Sequence, residues 1–188
     1  MNPCVLVRHG ETEMAGRFCG HSDPPLNRAG QTQIEESAAL LMSTPPEVIY
    51  SSDLKRALQS AQLLACRFAA PIHLRPGLRE ICFGEWEGLS WREIGQRFPQ
   101  EAQAWIERYP YGVIPSGEAY DQFSSRVDEE TNFLLEQART RSVVAVTQAG
   151  FIRTALTDFC SISHAEAYHR SAPYACVVPI QSAERSRR

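Results

Sequence analysis

Residues 4–12 read Cys4-Val5-Leu6-Val7-Arg8-His9-Gly10-Glu11-Thr12. Four apolar residues stop abruptly at an arginine, a histidine and a glycine. A run this short suits a buried strand, with the polar residues at its carboxyl end. The pattern recurs. Glu47–Tyr50 runs into Ser51-Ser52-Asp53-Leu54-Lys55-Arg56-Ala57, and Ser142–Thr147, with Val143, Val144 and Val146, runs into Gln148-Ala149-Gly150-Phe151-Ile152-Arg153. Pro71–Leu74 and 174–180 are further strand candidates.

Helical spacing fills the intervals. One helix is expected from an Asn27 cap to Met42, stopped by Thr44-Pro45-Pro46. A second follows a cap in Ser51-Ser52-Asp53, with Leu54, Leu58, Ala61, Leu64, Ala65 and Phe68 on one face. Ser90-Trp91-Arg92-Glu93 fits a capping box. Helices are also expected over Gln100–Arg108, over about 119–139, and over Phe151–Phe159. Residues 14–27, 75–89 and 109–117 read as loops. Strands alternating with helices predict a three-layer α/β/α fold with a mostly parallel central sheet. In such sheets a ligand sits beyond the carboxyl ends of the strands, where segments 8–12, 51–56 and 147–153 all fall.

The chain has 188 residues, so one domain is expected over 1–188, with 182–188 as a frayed tail. A formal net charge of -3 argues against bulk attraction to nucleic acid or anionic lipid. No apolar run approaches the roughly 20 residues of a membrane span, and the N-terminus has no signal-peptide pattern. A cytoplasmic protein is the expectation, and a homodimer stays open. The six cysteines (Cys4, Cys19, Cys66, Cys82, Cys160 and Cys176) form no C-x-x-C pair, so buried free thiols are expected rather than a disulfide or zinc framework.

A neutral imidazole at a strand end can attack phosphorus, and a neighbouring guanidinium grips phosphate oxygens through paired hydrogen bonds. Arg8 and His9 offer that pair, and Gly10 allows close backbone approach. Taken alone, the tripeptide reads sooner as an ordinary strand end whose His and Arg are satisfied by neighbours. Arg56 in the first turn of a helix suits an anion, or is a solvated surface residue. Leu78-Arg79-Glu80-Ile81-Cys82-Phe83-Gly84-Glu85-Trp86-Glu87-Gly88 puts several carboxylates in one loop. One of them can protonate a leaving alkoxide; otherwise the loop is an acidic surface with an anchoring Trp86.

Together, RHGET at 8–12, SSDLKRA at 51–57, LREICFGEWEG at 78–88 and VTQAGFIR at 146–153 resemble the ordered motifs of the histidine phosphatase superfamily, the phosphoglycerate-mutase-like proteins. The resemblance spans residues 4–160. It implies that His9 is phosphorylated in turnover, that Arg8 and Arg56 clamp phosphate with Thr12 nearby, and that Glu80 is the general acid. It implies no metal and no cofactor, and a small phosphorylated metabolite as partner. Gly16-Arg17-Phe18-Cys19-Gly20-His21-Ser22-Asp23-Pro24-Pro25-Leu26 is similar to a stretch of the α-ribazole phosphatases, which points to α-ribazole 5′-phosphate and cobalamin biosynthesis. The short chain favours a phosphatase over a mutase. Trp86, Trp91, Trp105, Tyr109 and Tyr111 are candidates for an aromatic stacking surface, or for core packing.

One position departs from the pattern. Gln148 stands where the family has a second pocket histidine. An amide donates a hydrogen bond but carries no charge. A charged hydrogen bond is worth about 1.5–3 kcal/mol against about 0.5–1.5 for a neutral one, so the expected loss is roughly 5–30-fold in rate. A weakened natural variant, a binding or regulatory protein that has lost catalysis, and a substitution introduced to trap a ligand all satisfy this sequence.

Overall fold

The computed structural model describes residues 2–181; the tail expectation for 182–188 lies outside them. Five strands, β1 (Cys4–Arg8), β2 (Val48–Ser51), β3 (Ile72–Leu74), β4 (Val143–Thr147) and β5 (Val177–Ile180), form one sheet in the order β3-β2-β4-β1-β5. The first four are parallel, and β5 pairs antiparallel with β1. The three strands that carry the motif segments are therefore neighbours, and their carboxyl ends lie side by side.

Strand alternation divides the core. Leu6, Val48, Tyr50, Val143 and Ala145 face one way, against α5 (Tyr120–Gln137), α6 (Ala149–Cys160) and α7 (His164–Ser171). Val7, Ile49, Val144 and Val146 face the other way, against α1 (Arg28–Ala38) and α2 (Lys55–Phe68). Such strands, buried on both faces, read as continuous apolar runs because neither face meets water. The three-layer α/β/α arrangement is the one expected. A separate small cluster, Trp86, Ile94, Ala102 and Ile114, sits under α3 (Trp91–Arg97) and α4 (Pro99–Arg108). No helix among the described residues is long and apolar enough to cross a membrane.

The caps explain several boundaries. Asn27 Oδ1 accepts from the Gly30 N–H at 2.7 Å and starts α1, which ends at Ala38 and tightens into a 3-10 turn over Ala39–Leu41. Ser90 and Glu93 form the reciprocal capping box of α3, and Pro99 at the first turn separates α4 from it. The expected cap of α2 is not formed as read. Its N-cap is Leu54, without a side-chain bond, because Asp53 is drawn away by Arg79 at 2.7 and 2.5 Å. Asp23, from a distant loop, accepts the Lys55 N–H at 2.6 Å instead. Helix α7 was not expected at all: its eight residues are too few to display a full apolar period, although Ser163 caps it in the ordinary way. Residues 75–89 contain two 3-10 turns, Pro76–Leu78 and Gly84–Trp86. All six cysteines are free, but only Cys4 is buried, and burial pushes its thiol up to about 12; Cys66 is exposed.

Gly10 and Gly30 fit back to back. A Cβ at Gly10 would collide with the Gly30 carbonyl, and one at Gly30 with the Glu11 carbonyl. The turn after β1 therefore rests directly on the first turn of α1. Gly95, inside α3, meets nothing. Gly10→Ala is expected to lose about 2 kcal/mol or more through forced backbone movement, while Gly95→Ala gains about 0.5–1 kcal/mol from helix propensity. Chemical denaturation of both variants measures the contrast.

Candidate active site

The turn after β1 sets the state of His9. The ring is 7 % exposed, and its Nδ1 lies 2.6 Å from the Gly10 carbonyl oxygen. A carbonyl only accepts, so Nδ1 carries the proton, and Nε2 is left with a lone pair. Burial, then the charges of Arg56 and Arg8, hold the imidazole well below its ordinary pKa, so it is neutral at physiological pH. Tyr174 lies beside it, with ring centroids 5.8 Å apart.

Arg8 stands on the opposite side of the pleat. Its Nη1 donates to the carbonyls of Ser171 and Ala172, and its guanidinium carbon sits 4.0 Å over the Tyr174 ring. Its buried Nε has no partner. Neither Arg8 nor Arg153 forms a salt bridge among the described residues, and the buried Nε of Arg153 is likewise unpartnered. Arg153 is steadied by the Tyr109 hydroxyl, 3.3 Å from Nη1, and by the Tyr168 ring at 4.8 Å. Two guanidinium groups without carboxylate partners face one cavity of about 380 Å³ that also exposes His9, Thr12 and Glu80. A buried cation is costly unless compensated, so this floor suits an anion.

Arg56 and Gln148 lie behind that floor, both fully buried. Arg56 donates from Nε to Gln148 Oε1 at 3.0 Å, from Nη1 to the Ser22 carbonyl at 2.6 Å, and from Nη2 to the carbonyls of Gly20 and Cys19 at 2.7 and 3.1 Å. Four of its N–H groups are thus spent on the protein, and its influence on His9 is a field. The bond from Arg56 also fixes the Gln148 amide, since a guanidinium offers no acceptor. The Nε2 amide nitrogen is left buried and unpartnered. Gln148 follows Thr147, the cross-strand partner of Arg8, and the Thr147 carbonyl accepts the His9 N–H at 3.0 Å.

The carboxylates of the 78–88 loop separate by role. Glu80, 7 % exposed, accepts from the N–H of Gly150 at 2.9 Å, at the start of α6, and of Ile81 at 3.0 Å. Its own carbonyl accepts from Arg126 at 2.8 Å, and Arg126 is paired with Glu118. Glu87 is structural. Its carboxylate accepts from the N–H groups of Gly20, His21, Ser22 and Phe83 and from the Ser22 hydroxyl, at 2.6–3.1 Å. It thereby folds the 20–22 turn whose carbonyls hold Arg56. Glu85 meets only the surface Ser116 hydroxyl. Thr12 is buried, and its Oγ1 accepts from the Met14 N–H at 3.2 Å.

The structure therefore brings Arg8, His9, Thr12 and Glu80 to the cavity and sets Arg56 and Gln148 just behind it. Sequence reading gave no role to Arg153 or Tyr174. Arg153 ends a quoted motif and was visible as a basic residue; Tyr174 carries no signal, because only the α7–β5 turn brings it back over Arg8. Of the five aromatic candidates, Trp91, Trp105 and Tyr109 line the cavity, Trp86 is wholly buried beneath them, and Tyr111 packs outside on Tyr120.

Comparison with known proteins gives concordant results. The family model described as histidine phosphatase superfamily (branch 1) matches residues 4–188. The adenosylcobalamin/alpha-ribazole phosphatase of Escherichia coli (strain K12) is 26% identical over 173 residues, 91% of this chain and 85% of that protein. A metal-independent phosphoserine phosphatase of Arabidopsis thaliana is 34% identical over 154 residues, 79% of this chain and 65% of that one. Among solved structures, an alpha-ribazole phosphatase from Shigella flexneri superimposes with a TM-score of 0.84 at 25% identity, covering 97% of this chain and 91% of its own.

Glu87 gives a pH test of the scaffold. Burial alone raises its pKa, but the hydrogen bonds from Ser22, His21 and Phe83 outweigh that and hold it below the ordinary 4.5. A depressed carboxyl stabilises the fold above its unfolded pKa, and the contribution is lost as pH falls through the folded value. Glu87→Gln is expected to be less stable than the parent by a constant amount between about pH 5.5 and 8, with the gap closing below about pH 4. Urea midpoints across that range read it out.

Proposed function

The chain belongs to the histidine phosphatase superfamily, branch 1, and on that footing we propose that it is a phosphomonoesterase working through a phosphorylated His9. The observation that carries the proposal is the state of His9: Nδ1–H committed to the Gly10 carbonyl, Nε2 bare, the ring neutral, and unpartnered cationic donors at the same cavity.

In this reading the phosphate enters over the guanidinium groups of Arg8 and Arg153, with Thr12 at the rim and the Gln148 amide buried behind them. Arg56 contributes its charge from behind, having little hydrogen-bonding capacity left. The His9 Nε2 lone pair attacks phosphorus, and the bond to the leaving oxygen breaks. Glu80 gives the departing alkoxide a proton. Water then attacks the phosphohistidine, Glu80 takes a proton back, and inorganic phosphate leaves with His9 restored. None of these steps draws on a metal or a cofactor.

For the substrate we take a small phosphorylated metabolite of the cytoplasm, with α-ribazole 5′-phosphate as the first candidate. The relatives named for that activity support the choice, and so does the aromatic wall of Trp105 and Tyr109, which suits a planar base. The neutral amide at Gln148 motivates a second reading, a phospho-ligand binding or regulatory protein with impaired turnover.

His9→Ala is expected to abolish phosphate release from phenyl phosphate; retained release defeats the proposal. Because the imidazole is already neutral far below its ordinary value, kcat/KM for the parent is expected to show no inflection near pH 6.5, and a stopped pH series checks this. Gln148→His is expected to raise the rate roughly 5–30-fold. Equal rates would show that the amide suffices, and tight ligand binding without turnover in both forms would favour the binding protein.

A further inference from the structure

The aromatic wall does not stop at the cavity mouth. Phe18, Trp91, Trp105 and Tyr109 line the catalytic cavity, and with Ile106 the same four side chains line an open groove of about 430 Å³ on the outer surface. The two spaces share these walls, so the groove adjoins the site across a single layer of side chains. Its exposed apolar residues are unusual for α4 and its flanks: Ile106 is 60 % exposed, Tyr109 44 % and Trp91 41 %.

The wall is also built. Trp86, fully buried, makes edge contacts with Phe18, Trp91 and Trp105 at 5.7–6.2 Å, and Trp105 makes one with Tyr109 at 5.6 Å. Phe18 and Trp91 stack at 6.0 Å. The Ser90–Glu93 capping box fixes the start of α3 and with it Trp91. A Cβ at Gly112 would strike Trp105, so the 109–117 loop closes on this indole without a side chain between.

Resting on the phosphatase reading above, we propose that this groove is a second substrate subsite, taking the distal apolar portion of the alcohol whose phosphate lies over His9. The ligand class is a phosphomonoester with an extended planar or apolar alcohol, longer than a single ring. Its phosphate meets the Arg8 floor, its first ring lies against the Trp105–Tyr109 pair, and its far end covers Trp91 and Ile106. The walls it shares with the catalytic cavity favour this occupant over a separate protein.

A graded aryl series tests it, using phenyl phosphate, 2-naphthyl phosphate and 4-phenylphenyl phosphate with the full chain and with Ile106→Glu. Ile106 touches only the outer groove, and its exposure lets the variant fold. The parent is expected to gain about tenfold in kcat/KM from phenyl to 4-phenylphenyl phosphate, mainly through KM, at the usual return on buried apolar area. Ile106→Glu is expected to lose that gain while hydrolysing phenyl phosphate at the parent rate. A flat series in the parent, with phenyl phosphate cleaved normally, overturns the subsite and leaves the phosphatase standing. If the series is flat and Ile106→Glu converts a dimer to a monomer in gel filtration, the groove belongs to self-association and the inference also fails. Absence of any hydrolysis defeats both.

Discussion

The Arg56 guanidinium sits at zero exposure with no carboxylate bonded to it, and the site is arranged around that fact. Its compensation comes from three backbone carbonyls and one amide, all supplied from other parts of the chain. The carbonyls point inward only because Glu87 gathers the N–H groups of the same turn from the other side. One carboxylate and one guanidinium thus clamp the 19–22 loop between them without touching each other. The charge so trapped adds to burial, the larger cause, in keeping the His9 imidazole unprotonated. The neutral ring is therefore supported from behind by a residue that is, in hydrogen-bonding terms, a structural post.

The loop carrying Glu80 is secured in a comparable way. Arg75 pairs with Glu130 and Arg79 with Asp53, while Arg126, itself paired with Glu118, donates to the carbonyls of Gly77, Arg79 and Glu80, so two ion pairs and one guanidinium pin residues 75–80 to α5 and to the start of α2. Surface ion pairs are individually worth little, but these are partly buried and converge on a segment with almost no regular structure of its own. They give an irregular loop a fixed position, which an acid acting on a leaving group requires.

Much of this was legible in the residues. The strand-to-motif junctions at Arg8, Ser51 and Thr147 declared the parallel sheet and the edge at which the cavity lies, because apolar runs buried on both faces end sharply where polar residues begin. Asn27 and the Ser90–Glu93 box announced their helices through local bonds alone. What stayed hidden depended on distant partners. The Asp23 cap of α2 joins residues 32 apart, the division of labour between Glu80 and Glu87 depends on which turn folds against which, and Tyr174 reaches Arg8 only through the α7–β5 connection. The alternatives left open for Gln148 concern rate and origin, and geometry bears on them only by showing that the amide is oriented: one end is held by Arg56, the other is unpartnered.

The Asp23 cap has a wider consequence. Helix N-termini commonly serve as ready anion cradles; α6 starts on this cavity, and the first turn of α2 carries Arg56 behind it. Both already hold an internal anion, Asp23 on α2 and Glu80 on α6. With both dipoles already matched, an anion entering the cavity would be left to the guanidinium groups of Arg8 and Arg153, so the charge that receives it is carried by side chains and not by helix ends.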